Sequence, residues 1–102
     1  MSAEGTFTVI VDFDTTPEDQ QQALEEIGDY VASFLSRQPG FLRSWLHRSL
    51  DGEGLVHYAL WRSREDFQAA GKKALEHPAL PALRRFNPRG RQFEVWRGFG
   101  DV

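Results

Sequence analysis

Two alternating stretches, Phe41 to Leu50 and Leu55 to Arg62, meet at Asp51-Gly52-Glu53-Gly54, and this junction restricts the fold more than any other feature of the chain. Period-two alternation marks strands with two unlike faces, and a turn containing Asp-Gly joins such strands into an antiparallel hairpin. Upstream, Phe7, Val9, Val11 and Phe13 alternate with Thr8, Ile10 and Asp12, so Thr6 to Phe13 reads as a strand. Thr16 is a candidate helix N-cap, Pro17 suits the first helical position, and Glu18-Asp19 favour the positive helix end. Leu24, Ile27, Val31, Phe34 and Leu35 then recur at helical spacing until Pro39-Gly40 stops the helix. Gly28, inside that stretch, costs about 1 kcal/mol relative to Ala and so marks a candidate close backbone contact.

Beyond the hairpin, Ser63-Arg64-Glu65-Asp66 forms a capping box that opens a second helix, with Phe67, Ala70 and Ala74 on its inner side. Pro78 and Pro81 break the chain before a short helical turn near Ala82 to Phe86. Asn87-Pro88-Arg89-Gly90 reads as a turn and Gln92 to Phe99 as the last strand. The order βαββαβ predicts an α+β fold of ferredoxin-like, split-βαβ topology. A chain of 102 residues has room for one domain, taken here as residues 1–102.

Two helices cover only one face of such a sheet, yet both faces of the hairpin carry large apolar residues. A domain of this size buries only about two-thirds of its unfolded surface. With eight Phe, three Trp and two Tyr, the uncovered face exceeds what monomers usually expose. A second copy packing sheet to sheet is therefore expected, giving a homodimer. Which residues share a face depends on register. A three-residue loop, Asp51 to Glu53, pairs His47 with His57, Trp45 with Ala59 and Arg43 with Trp61. That register gathers Leu42, Leu46, Leu50, Val56, Tyr58 and Leu60 on one face, the expected dimer interface. Arg43, Trp45, His47, His57 and Trp61 share the other, as a candidate pocket with apolar walls and a few polar groups.

Several classes are excluded. The absence of Cys removes disulfides, thiolate nucleophiles and Cys-based zinc sites. His77 stands apart beside Pro78 and no His-x-His or His-x-x-x-His spacing occurs, so no metal site is expected. Neither a Gly-rich nucleotide loop nor a Gly-x-Ser-x-Gly elbow is present. Arg84, Arg85, Arg89, Arg91 and Arg97 crowd the end of the chain, but a net charge of −3 opposes binding to nucleic acid. No apolar run approaches the roughly 20 residues needed to cross a bilayer. Met1-Ser2-Ala3-Glu4-Gly5 has no basic stretch leading into an apolar run, so a cytoplasmic location is expected.

The segment Tyr58-Ala59-Leu60-Trp61-Arg62-Ser63-Arg64-Glu65-Asp66-Phe67 resembles the Trp-x-Ser-x-Glu-x-Phe/Tyr signature of the antibiotic biosynthesis monooxygenase superfamily of dimeric α+β barrels. Pro39-Gly40-Phe41 and Asp51-Gly52 are similar to the same family. Within it, the chain looks most like the cofactor-free oxygenases that turn aromatic polyketide phenols into quinones. That resemblance implies His47 as the base, Trp61 as a flat wall and indole donor, and Arg84 as the clamp for a developing oxyanion. It also implies His57, Trp45, Phe67 and Arg43 as substrate contacts, no cofactor, and a small aromatic substrate and molecular oxygen as partners. His57 stands where that group has Asn, Phe67 where it has Tyr, and His77 where it has Asp. Positions near Ala70 and Leu80 lack the Trp and His of the haem-degrading branch.

The chemistry fits these residue types. Triplet dioxygen reacts slowly with closed-shell molecules, but an electron-rich phenolate can hand it one electron. Such a site needs a base, a cation and an apolar pocket; His near its usual pKa of about 6.5 and a permanently charged Arg supply the first two. A second reading is a non-catalytic or differently catalytic barrel that binds a small aromatic or isoprenoid ligand. The loss of the Asn and of the Tyr hydroxyl points that way.

Overall fold

The computed structural model describes residues 7–101. Its elements are β1 (Phe7–Asp14), α1 (Gln20–Ser33), a 3-10 turn (Leu35–Arg37), β2 (Phe41–Arg48) and β3 (Gly54–Trp61). They continue with α2 (Arg64–Ala74), α3 (Leu80–Leu83), a second 3-10 turn (Arg84–Phe86) and β4 (Arg89–Glu94). The strands pair antiparallel in the order β2-β3-β1-β4, the ferredoxin-like arrangement expected from the element order. Extents of 40 × 33 × 19 Å leave depth for two layers, one sheet and one set of helices.

Several boundaries differ from the sequence reading. Thr6, expected to begin the first strand, lies outside the described residues. Thr16 does cap, but over a turn rather than the helix itself. Its N–H donates to Asp19 Oδ1 at 2.7 Å and its hydroxyl accepts from Asp19 N–H at 3.3 Å, so regular helix begins only at Gln20. Ser63 caps α2 as expected, accepting from Asp66 N–H at 3.1 Å. Gly28 marks no close contact, since an added Cβ would meet nothing within 4 Å. The last strand begins at Arg89 and ends at Glu94, not Phe99. Asn87, at φ 52°, makes the reversal alone, and Glu94 faces Phe7 in the last β1–β4 pair among the described residues.

Alternation along β3 divides the sheet cleanly: Leu55, His57, Ala59 and Trp61 are buried beneath the helices, while Val56, Tyr58 and Leu60 are half-buried on the other side. Cross-strand partners share a face, so Phe7, Val9, Val11 and Phe13 of β1 join the helix side. Ile10 joins Tyr58 and Leu60 on the open side. Buried residues form two clusters. Phe13, Ala23, Ile27, Leu55, Leu83 and Phe86 pack at the hairpin end, and Val9, Ala59, Trp61 and Ala70 at the other, with Val11 touching both.

The hairpin register is one residue away from the expected one. Arg48 faces Leu55, His47 faces Val56, Leu46 faces His57 and Trp45 faces Tyr58. The loop therefore runs from Leu50 to Glu53, and Leu50 is fully exposed rather than part of an interface. The cause lies outside the hairpin. Gln20 of α1 donates from Nε2 to the carbonyls of both Ser49 (3.0 Å) and Gly54 (2.9 Å), fixing them as the closing pair. Thr15 adds its hydroxyl to Gly52 O at 2.7 Å and its N–H to Glu53 O at 3.1 Å. Asp51 Oδ1 meanwhile accepts from Glu53 N–H and the Ser49 hydroxyl. A bulge between Phe41 and Arg43 then returns Phe41 to the side of Trp61.

Candidate active site

The one-residue change in register splits the residues that the sequence placed together. His57 and Trp61 lie on the helix side; Arg43, Trp45 and His47 lie on the open side, with Leu60, Tyr58 and Val56 as their partners. His47 and His57 do not pair, and Leu46 belongs to the covered face rather than to the expected interface. A single substrate within one subunit cannot touch both histidines, because the sheet stands between them.

On the helix side, Trp61 is 1% exposed and boxed by aromatic edges. Phe41 lies 5.2 Å from it in a T-shaped arrangement, Phe67 lies 5.6 Å away, and Phe67 also meets Phe7 at 5.8 Å. Phe67 comes from the first turn of α2, which Ser63 aims back over the strand end. The same geometry requires Gly40, at φ +84°, whose carbonyl accepts from Arg62 N–H at 2.7 Å. An added Cβ there would collide with the Asp66 side chain.

His57 stands two residues along the same face, flanked by Val11 and Leu46, and is 5% exposed. Its Nε2 is buried without a hydrogen-bond partner. Removal from water pushes its pKa down to about 4, because the charged imidazolium would have neither solvent nor a counter-ion. A neutral, buried, unpaired imidazole is costly to keep and invites a polar ligand.

Helices α1 and α2 cover different parts of the sheet. α1 packs against β2, β3 and α3 and α2 against β3, while α1 and α2 hardly meet. An aromatic group that the sequence did not reveal as a unit lies on the α1 side: the His77 ring is 5.1 Å from Tyr30 and 4.7 Å from Phe34. Ala79 N–H donates to His77 Nδ1 at 3.0 Å, leaving the ring proton on Nε2 when His77 is neutral. The Tyr30/Phe34 spacing along one helix was the available signal. Burial holds the Tyr30 hydroxyl in its protonated form, raising its pKa above the ordinary phenol value.

Arg84 is exposed at the start of the 3-10 turn, between Leu83 and Phe86, which reach into the core. It makes no ion pair or side-chain hydrogen bond among the described residues, unlike its neighbour Arg85, which binds Glu26 at 2.9 Å. On the open face, Arg43 stacks over Trp45 at 5.6 Å and Trp45 meets Tyr58 at 5.8 Å. There His47 lines a groove of about 330 Å³ with Asp12, Asp14, Arg48, Glu53 and Arg89. Phe13, Leu55 and Val56 add apolar wall to the same groove. Among the described residues no three His, Asp or Glu side chains converge as metal ligands, and no helix is long and apolar enough to cross a membrane.

A ferredoxin-like sheet with a buried aromatic cluster under its helices defines a class of small α+β proteins. The family model for antibiotic biosynthesis monooxygenase matches residues 6–78. The tetracenomycin-F1 monooxygenase of Streptomyces glaucescens is 36% identical over 95 residues, spanning 92% of this chain and 85% of that protein. Among solved structures, the monooxygenase from ActVA-Orf6 of Streptomyces coelicolor, in complex with nanaomycin D, superposes with a TM-score of 0.78. It is 22% identical, over 98% of this chain and 95% of that one. A point variant of SnoaB, a cofactor-independent oxygenase from Streptomyces nogalater, gives a TM-score of 0.75 at 24% identity, over 95% and 99% of the two chains. The chain belongs to the antibiotic biosynthesis monooxygenase family.

Proposed function

We propose that the protein oxidises an electron-rich, polyketide-like phenol to a quinone, using molecular oxygen and no cofactor. The observation that carries this reading is the 36% identity with tetracenomycin-F1 monooxygenase across 92% of the chain, in a molecule whose signature Trp61 sits in an apolar aromatic box. In this reading the substrate ring lies between sheet and helices, with Trp61 and Phe67 as walls, His57 as the polar contact and the exposed Arg84 as the cation for the oxyanion. His47, Trp45 and Arg43 stand on the opposite face and take no part in that pocket. In their place we assign them to a second copy of the chain, because Trp45, Tyr58, Leu60 and Ile10 form an apolar surface that a monomer would leave wet.

The electron count closes without a cofactor: the substrate is the reductant. One oxygen atom enters the ring, and the other leaves as water with the phenolic and ring hydrogens. The test is oxygen uptake by colourless, metal-free protein given tricyclic and tetracyclic phenols, with quinone measured by its absorbance. One oxygen molecule per quinone supports the reading. A stoichiometric flavin, haem or metal required for turnover overturns the cofactor-free part. Tight binding of these phenols without oxygen uptake favours the ligand-binding barrel instead.

A further inference from the structure

We propose that the segment after β4 is an arm that docks on a second copy of the chain, with Trp96 and Arg97 seated in the charged groove at that copy's hairpin end. The inference rests on the assignment of the open sheet face to a second copy, and is independent of the oxygenase chemistry.

Residues 95–101 follow β4 and belong to no helix or strand. They hold three large apolar side chains in solvent: Trp96 is 88% exposed, Phe99 69% and Val95 45%. An indole left in water forfeits the large burial its area offers, so such a cluster marks an interaction site. Arg97 stands among them with its guanidinium 4.9 Å from the Phe99 ring, and it makes no ion pair among the described residues. From Val95 to Phe99 the arm is therefore apolar and basic.

The groove has the complementary character. His47, Val56, Asp12 and Arg89 cross the open face as one row, beside the row of Trp45, Tyr58 and Ile10. Around it, the groove of about 330 Å³ sets Asp12, Asp14, Asp51 and Glu53 against Arg48 and Arg89, an excess of carboxylate. Asp14 is taken up by Arg89, and Asp51 by the Ser49 hydroxyl and Glu53 N–H. The Asp12 and Glu53 carboxylates make no ion pair among the described residues, which leaves them for a guanidinium from outside. Half-buried Val56 offers apolar floor to an indole.

Topology carries the arm to the groove. β4 runs from Arg89, in the groove row, to Glu94, opposite Phe7 at the other end of the sheet. A two-fold axis across the strands, through the row of Ile10, lays the end of one copy's β4 above the groove of the other. Packed sheets lie about 10 Å apart. Two residues of extended chain span about 7 Å, so Trp96, two residues past Glu94, crosses the gap with its own side chain. The exchange is reciprocal: each copy gives one arm and receives one.

The test uses the full chain and two readouts. One is the dimer Kd by analytical ultracentrifugation; the other is acrylamide quenching of Trp96, taken as the difference between wild type and Trp96→Phe. Trp96 should be shielded where the dimer forms and quenched on dilution. Trp96→Ala should raise the dimer Kd about tenfold or more. Arg97→Glu and Glu53→Arg should each weaken the dimer, because each sets like charges together. An equimolar mixture of those two variants should recover a Kd near wild type, since every arm then meets a groove of opposite charge. If Trp96 is shielded but indifferent to dilution and to mixing, the arm folds on its own chain and the proposal fails. If it is shielded in the dimer yet indifferent to Glu53→Arg, it docks elsewhere on the partner and the groove assignment fails. A stable dimer with Trp96 freely quenched overturns the arm and leaves the sheet-to-sheet interface standing. A wild-type monomer at micromolar concentration with Trp96 exposed removes both.

Discussion

Leu46 stands opposite His57 across the β2–β3 hairpin and His47 stands opposite Val56, so the two histidines point to opposite faces of one sheet. The consequence is a buried imidazole on one side and a solvated one on the other. Burial alone gives His57 its pKa of about 4, well below the usual value of about 6.5. His57 therefore stays neutral in mildly acid solution.

That difference makes stability pH-dependent. Between the two values the unfolded chain takes up a proton that the native chain refuses, so stability falls as pH falls through this window. From pH 7 to pH 4.5 the loss attributable to His57 is about 2 kcal/mol. Urea denaturation at both pH values should show it in wild type and not in His57→Asn. Equal losses in the two proteins would mean that His57 is charged or solvated in the fold.

Trp61 should be the costliest single truncation on the sheet. It is fully buried against Phe41, Phe67, Val9 and Ala59. Trp61→Ala should destabilise by about 3–5 kcal/mol, read from the denaturation midpoint. Trp61→Phe should cost less while still removing the indole N–H, which separates loss of the wall from loss of the donor in turnover assays.

Gly40→Ala tests the corner that aims Phe67 at Trp61. Alanine is strained at φ +84°, and its Cβ would displace the Asp66 carboxylate from the Ser63 cap and from Arg62. Left-handed strain of about 1–2 kcal/mol adds to the loss of the bonds that the Ser63 hydroxyl and Arg62 donate to the Asp66 carboxylate. A melting temperature within a degree of wild type would refute this account of the turn.

Substitutions on the two sheet faces should fail differently. Leu60→Asp, on the open face, should give a folded monomer in light scattering at micromolar concentration, where wild type is expected to run as a dimer. Leu46→Asp, beneath the helices, should unfold the protein instead, because it buries a carboxylate beside an uncharged His57. A soluble, folded wild-type monomer at that concentration would remove the sheet-to-sheet interface.

The identity and order of the elements were legible in the residues alone, because period-two and helical spacing are local properties. The Ser63 cap, the alternation of β3 and the ferredoxin-like order all follow from neighbours in the chain. So did Trp61 as a buried signature residue, since the strand and the capped helix after it dictate its surroundings. The grouping of His47 with His57 did not follow, although both lie on strands that were correctly placed. Whether the hairpin loop holds three residues or runs from Leu50 to Glu53 is decided by Gln20 and Thr15, far away in sequence, gripping carbonyls of the turn. Because side chains alternate with a period of two, one residue of loop length sends β2 from Arg43 to Arg48 to the other face relative to β3. The end of β4 at Glu94 and the meeting of Tyr30, Phe34 and His77 are likewise set by what packs alongside them. Local pattern can specify a strand, but only its neighbours in space choose which way its side chains face.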